Sequence, residues 1–181
     1  MSQPNHYADV AAFNEACGVY RVKTFGDPLP PGELTMRRRL VAEEYTELMY
    51  AIKDNDRVEI ADACADLAYV AIGWMWAVRY FKPIGVITDG PTIVKAELDA
   101  SVKNTLFSQD PFEAWMIASL ALSLGKYYGF PMDAVWREVQ RSNMAKIVNG
   151  VVSKRADGKI VKPQGWTPPD IRGILEREGA L

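Results

Sequence analysis

Histidine is almost absent from this chain: His6 is the single one among 181 residues. It lies far from the acidic clusters described below, which excludes an imidazole-rich zinc site and a di-iron bundle built on Glu-x-x-His pairs. Cysteine is nearly as scarce. Cys17 and Cys64 both fall in helix-like, apolar surroundings, where free buried thiols are expected rather than a disulfide framework. No apolar run is long enough to cross a bilayer, which takes about 20 residues; the longest, Leu67 to Val78, reads as a deeply buried helix or an oligomer interface. Charge of one sign is not in excess either. With 21 Lys and Arg against 23 Asp and Glu, a net charge of −2 and a pI near 5.5, the chain offers no broad attraction for nucleic acid. The polar start Ser2-Gln3-Pro4-Asn5 lacks the basic and apolar segments of an export signal, so a cytoplasmic protein with no membrane partner is expected.

What is present suits one domain. Hydrophobic residues make up 49% of the chain and charged residues 24%, enough for a sizeable core. Periodicity predicts helices over Tyr7 to Val22, Thr35 to Asp54, Asp56 to Tyr80, Thr92 to Phe107, Pro111 to Tyr128 closed by Gly129, and Pro131 to Lys146. Asp157-Gly158, flanked by Val151-Val152 and Ile160-Val161, predicts a tight turn in a small hairpin or arm. Thr167, with Asp170 three residues later, predicts the cap of a short terminal helix. The expected fold class is all-α: a single domain over residues 1–181, with a helical core at about 7–147 and an arm at about 148–181.

Two acidic clusters carry the chemistry. At 100° per residue, Glu43, Glu44 and Glu47 share an arc of roughly 100° with Leu40 and Ala51 on the first of two consecutive helices. On the second, Glu59, Asp62 and Asp66 fall within roughly 60°, beside Ala63 and Val70. The short polar turn Asp54-Asn55-Asp56 makes these helices antiparallel neighbours, with their acids on the apolar sides. Burying carboxylates costs several kcal/mol unless a counter-charge comes with them, so the six acids predict a site for hard divalent cations. Such ions take oxygen ligands and bridge carboxylates to substrate phosphates.

The pattern Glu-Glu-x-x-Glu followed by Glu-x-x-Asp resembles the signature of the all-α nucleoside triphosphate pyrophosphohydrolases, the MazG-like superfamily that includes phosphoribosyl-ATP pyrophosphohydrolase. The later Arg141-Ser142-Asn143-Met144-Ala145-Lys146, Asp157-Gly158-Lys159, and Lys162-Pro163 through Trp166-Thr167-Pro168-Pro169-Asp170 are similar to the C-terminal part of one branch. The stretch between Tyr80 and Gly129 departs from its shortest members. The resemblance implies that Glu44, Glu47, Glu59 and Asp62 ligate the principal Mg²⁺, that Mn²⁺ can replace it, and that two or more ions take part. It also implies that Glu43 helps hold a second ion or orients the attacking water, and a carboxylate so placed can receive that water's proton as the catalytic base. Asp66, on the same face, is added as a further metal-site acid.

Asn143 and Lys146, near the end of one helix, are expected to meet the phosphates, with Lys162 a weaker candidate; Arg37 to Arg39 read as surface charges. Phe13 and Asn14 are the candidate nucleoside contacts. The activity expected is hydrolysis of a (deoxy)nucleoside triphosphate to monophosphate and diphosphate by a homodimer or homotetramer, with guanine or deoxyuridine-type substrates both open. The alternatives are a phosphoribosyl-ATP pyrophosphohydrolase and a non-catalytic helical metal-binding interaction protein.

Overall fold

Seven helices make up the regular structure of the described residues, 3–155 and 160–181, in the computed structural model. The first, α1 (His6–Ala16), is capped by the Asn5 side chain, which accepts from the Ala8 N–H. It stops well before Val22 because Gly18 enters the left-handed region at φ +57°, where only glycine is free of a Cβ penalty. The chain then runs alongside the core, and the Val22 N–H donates to the Ala77 carbonyl at 2.8 Å.

Helix α2 (Pro31–Asp54) begins earlier than its periodicity predicts, because Pro31 sits in the first turn, where its missing N–H costs nothing. Asn55 ends it in the left-handed conformation, and Asp56 caps α3 (Arg57–Ala77) by accepting from the Val58 and Glu59 N–H groups. A two-residue connection therefore folds α2 back on α3 as a helical hairpin.

Helix α3 is the axle of the fold: α5 (Pro111–Tyr127) and α2 pack on it most extensively, and α1, α6 (Met132–Met144) and α7 (Ile171–Arg177) also touch it. By length and composition α3 could cross a membrane, yet 83% of its most apolar window is buried inside the protein. Helix α4 (Pro91–Asn104) lies on α5. Arg38, expected at the surface, donates from Nε to the Thr105 carbonyl at 2.7 Å and pins the link between them.

After α6 the chain leaves as an arm and returns in α7. Among the described residues the arm holds only isolated bridges, Val148 with Val151 and Lys154 with Ile160. The expected Asp157-Gly158 turn lies outside the described residues. The terminal helix is capped not by Thr167 but by Asp170, whose carboxylate accepts from the Gly173 N–H. Pro169 explains the shift, since it disfavours helical backbone at Pro168. Arg57 ties down the end of the chain, donating to the carbonyls of Ala180 and Tyr128.

Candidate active site

On α3, every residue from Ile60 onward is buried except three: Asp62, Asp66 and Val70. They follow one another at four-residue steps, with exposed Glu59 one turn earlier. The single open stripe on the most buried helix is thus lined with carboxylates. Helix α2 meets that stripe with a seam of alternating three- and four-residue steps: Leu34, Arg37, Val41, Glu44, Leu48, Ala51. Four of these positions are apolar and buried, as such a seam requires. Arg37 and Glu44 are the two polar exceptions.

The acids are less uniformly inward than the helical arcs predict. Glu44, Asp62 and Asp66 are half-buried, whereas Glu43, Glu47 and Glu59 are exposed. The seam itself sets the difference. Glu43 and Glu47 flank it and lean to solvent, and Glu43 pairs with Arg39 across 3.7 Å. Glu59 lies in the open first turn of α3.

Electrostatic repulsion couples the acids of the cluster. Burial, followed by the charges of Asp66, Glu59 and Glu47, pushes the Asp62 carboxyl up to about 7. Burial and then Glu44 push Asp66 up to about 7 as well, against the opposing pull of Lys146. Asp62 Oδ1 is buried with no hydrogen-bond partner. The donor set is all carboxylate oxygen and carries more negative charge than its surroundings neutralise, so it fits a hard divalent cation. Among the described residues, no three His, Cys, Asp or Glu side chains converge closely enough to form a metal site; the acids share a field without yet sharing a ligand position.

Beyond Asp66 a groove of about 570 Å³ opens between α1, α2, α3 and the arm. It gathers the candidates Phe13, Asn14, Glu43, Glu44, Asp66, Asn143, Lys146 and Lys162, while Glu47, Glu59 and Asp62 are not part of its wall. Lys146 Nζ donates to Asn143 Oδ1 at 2.7 Å. Burial lowers the Lys146 pKa, and the charges of Asp66 and Glu44 oppose that fall. Behind the groove, Tyr69 donates to Gln140 Oε1 at 2.6 Å, and Gln140 Nε2 donates to the Asp9 carbonyl at 3.0 Å. That chain of bonds fixes α1, α3 and α6 relative to one another.

Arg37 corrects the sequence reading most sharply. Far from being a surface charge, it is 6% exposed and lines the groove. Its Nη2 reaches Glu33 at 3.5 Å, and its Nε has no partner. Asn14, at 5% exposure, has an Nδ2 with no partner either. Gly73 lies between them; a Cβ there would stand 3.5 Å from Asn14 Nδ2 and 3.8 Å from Arg37 Nη1. The groove therefore has an acidic end at Asp66 and Glu44, a cationic wall at Lys146 and Lys162, and a recess bordered by two under-used donors. The seam position of Arg37 was the signal that could have found it.

Residues 19–78, which hold both acidic clusters, match the phosphoribosyl-ATP pyrophosphohydrolase family. That family is one of the MazG-like, all-α superfamily, and the matched stretch is the part of this chain that carries the acids. The MazG-like match supports a pyrophosphohydrolase, and the helical architecture of the described residues agrees with that fold. The chain is also similar to an uncharacterized protein, L479, of Acanthamoeba polyphaga mimivirus. The two are 26% identical over 180 aligned positions covering 78% of this chain and 71% of the viral protein.

Proposed function

We propose that this protein is a metal-dependent nucleoside triphosphate pyrophosphohydrolase, converting a (deoxy)nucleoside triphosphate and water to the monophosphate and diphosphate. One observation carries the reading: the only open face of the central helix is a carboxylate stripe that ends in a groove with a lysine wall. A polyphosphate needs that combination, with acids to share cations at the reacting phosphorus and ammonium groups for the charge beyond it.

Glu44, Glu47, Glu59, Asp62 and Asp66 are the acids that would hold Mg²⁺ or Mn²⁺, in two or more sites. The metal would supply an acidified water and neutralise charge on the phosphate oxygens. Water attacks the α-phosphorus, a P–O bond forms, the bond to the bridging oxygen breaks, and diphosphate leaves. Glu43 takes the proton from the attacking water. Its surface pairing with Arg39 is of a kind worth about 0–1 kcal/mol, so releasing it costs little. Lys146, steadied by Asn143, and Lys162 bind the departing phosphates. Phe13 borders the nucleoside, and the donors of Asn14 and Arg37 suit base carbonyl oxygens such as those of guanine or uracil.

We further propose that the working form is a homodimer or homotetramer in the cytoplasm. Exposed Phe81, Phe107 and Phe112 supply apolar surface for assembly.

The family match favours a second reading, phosphoribosyl-ATP as substrate, on the same acids. Purified protein incubated with Mg²⁺ and a panel of triphosphates, with diphosphate and monophosphate quantified, separates the two. Diphosphate from phosphoribosyl-ATP alone would favour the second. Product from no substrate would leave a non-catalytic metal-binding protein.

A further inference from the structure

Two like-charged side chains share the groove's wall, and one aromatic ring stands beside both. Lys162 Nζ lies 4.2 Å from the centroid of the Trp166 ring and Lys146 Nζ 5.6 Å from it. Both distances are within the range over which an indole face attracts an ammonium group. The ring is itself held. Trp166 Nε1 donates to the Ser142 carbonyl at 2.8 Å, and its backbone N–H donates to the Pro163 carbonyl at 3.1 Å.

The segment that carries the ring is fastened to α6 again just after that contact. Ser142 Oγ donates to the Thr167 carbonyl, Arg141 to the Pro168 carbonyl, and the Asp170 N–H to Glu138 Oε1. Ammonium groups drawn toward one place repel each other, and with Lys146 held by Asn143 that repulsion would drive Lys162 toward solvent. Here both are close enough for their charges to act on Asp66. The indole offsets part of the repulsion and keeps the pair facing the acids.

We propose that Trp166 is a positioning residue for the polyphosphate tail, seating Lys146 and Lys162 together so that their ammonium groups meet the leaving diphosphate as a pair. The proposal rests on the polyphosphate reading of the groove. Trp166 touches no reacting atom and acts only through the two lysines.

The test is a mutant cycle with two readouts: the KM and kcat for the best triphosphate, and calorimetric affinity for inorganic diphosphate with Mg²⁺. Trp166→Leu should raise KM and weaken diphosphate binding about tenfold, with kcat changed far less. Trp166→Phe, which keeps a ring but loses the N–H, should restore most of the affinity. In a Lys146→Met/Lys162→Met background, Trp166→Leu should cost nothing further, because nothing remains for the ring to seat.

An unchanged affinity in Trp166→Leu, or an equal loss on the lysine-free background, overturns the proposal. A tenfold loss of diphosphate affinity in Trp166→Phe relative to wild type also overturns it, and this arm decides the matter even if the leucine variant does not fold. Trp166-dependent diphosphate binding in a protein that cleaves no nucleotide would sink the activity while sustaining the seat. A wild-type chain that binds no diphosphate would sink both.

Discussion

Replacing Asp62 with asparagine should stabilise the metal-free protein at pH 8 and abolish turnover. The Asp62 carboxyl is displaced from 3.8 to about 7, about three pH units, and at about 1.4 kcal/mol for each unit the ceiling is about 4 kcal/mol. Asp66 owes part of its own rise to the same neighbourhood, so the two are not summed. Asp62 also retains some contact with water, and about 2–3 kcal/mol is the expected gain. The folded protein binds this proton more tightly than the unfolded chain does. Stability is therefore full below about pH 4, falls as pH rises through about 7, and is lowest above that.

Denaturant titration followed by circular dichroism, in EDTA at pH 5 and pH 8, gives the comparison. Asp62→Asn should exceed wild type by about 1.5 kcal/mol at pH 5, where the folded carboxyl is protonated but the unfolded one is already ionised, and by about 2–3 kcal/mol at pH 8, where neither is protonated. Burial lowers the His6 pKa, so protonation of His6 destabilises the fold as the pH drops. That contribution is common to both proteins and cancels in their difference. Equal pH dependence in the two, or a less stable variant at pH 8, would refute the reasoning.

Gly73→Ala should stabilise the fold by about 0.5–1 kcal/mol through helix propensity, since the new Cβ meets Asn14, Arg37 and Val10 only at ordinary contact distances. The same methyl narrows the recess, so a higher KM in steady-state kinetics should accompany a higher melting temperature. Gly125→Ala makes the opposite contrast: its Cβ would run into the buried Met132 side chain where α5 meets α6, and a loss of about 1–3 kcal/mol is expected in denaturant titration. Lys146→Ala should raise the KM for triphosphate about tenfold or more with a smaller change in kcat, as loss of a phosphate contact requires. An unchanged KM would return Lys146 to a structural role.

The helices were legible because their punctuation is chemical. Pro111 starts a helix, Asp56 and Asp110 cap helices, and Asn55 and Gly129 end or follow them in left-handed backbone, whereas periodicity places the starts at Pro31 and Pro91 late, at Thr35 and Thr92. Those signals act within a few residues, so the sequence displays them directly. The end of α1 was misread because Val22 keeps the apolar spacing, although Gly18 has already turned the chain; the valine is buried by a loop rather than by a helix.

At the site, the stripe of Asp62 and Asp66 was readable from spacing alone. The exposure of Glu43, Glu47 and Glu59 was not, because an angular arc says which acids lie together but not where the neighbouring helix's cover stops. Arg37 was hidden among Arg37-Arg38-Arg39, three identical residues with three different fates: one is buried at the groove's recess, one pins the α4–α5 link, and one lies exposed at the groove's rim beside Glu43. Only the register against Val41 and Leu48 tells them apart.

The unequal anchoring of the two walls has an evolutionary consequence. The carboxylates ride on a rod that is gripped by five others, so a change there disturbs the whole interior. The lysines and Trp166 belong to a strap fastened at α6 and α7 and bridged to itself at only a few points. On the proposed activity, variation in the strap would alter how tightly a phosphate tail is grasped, and how long it is retained, while leaving the acid-bearing half of the molecule undisturbed.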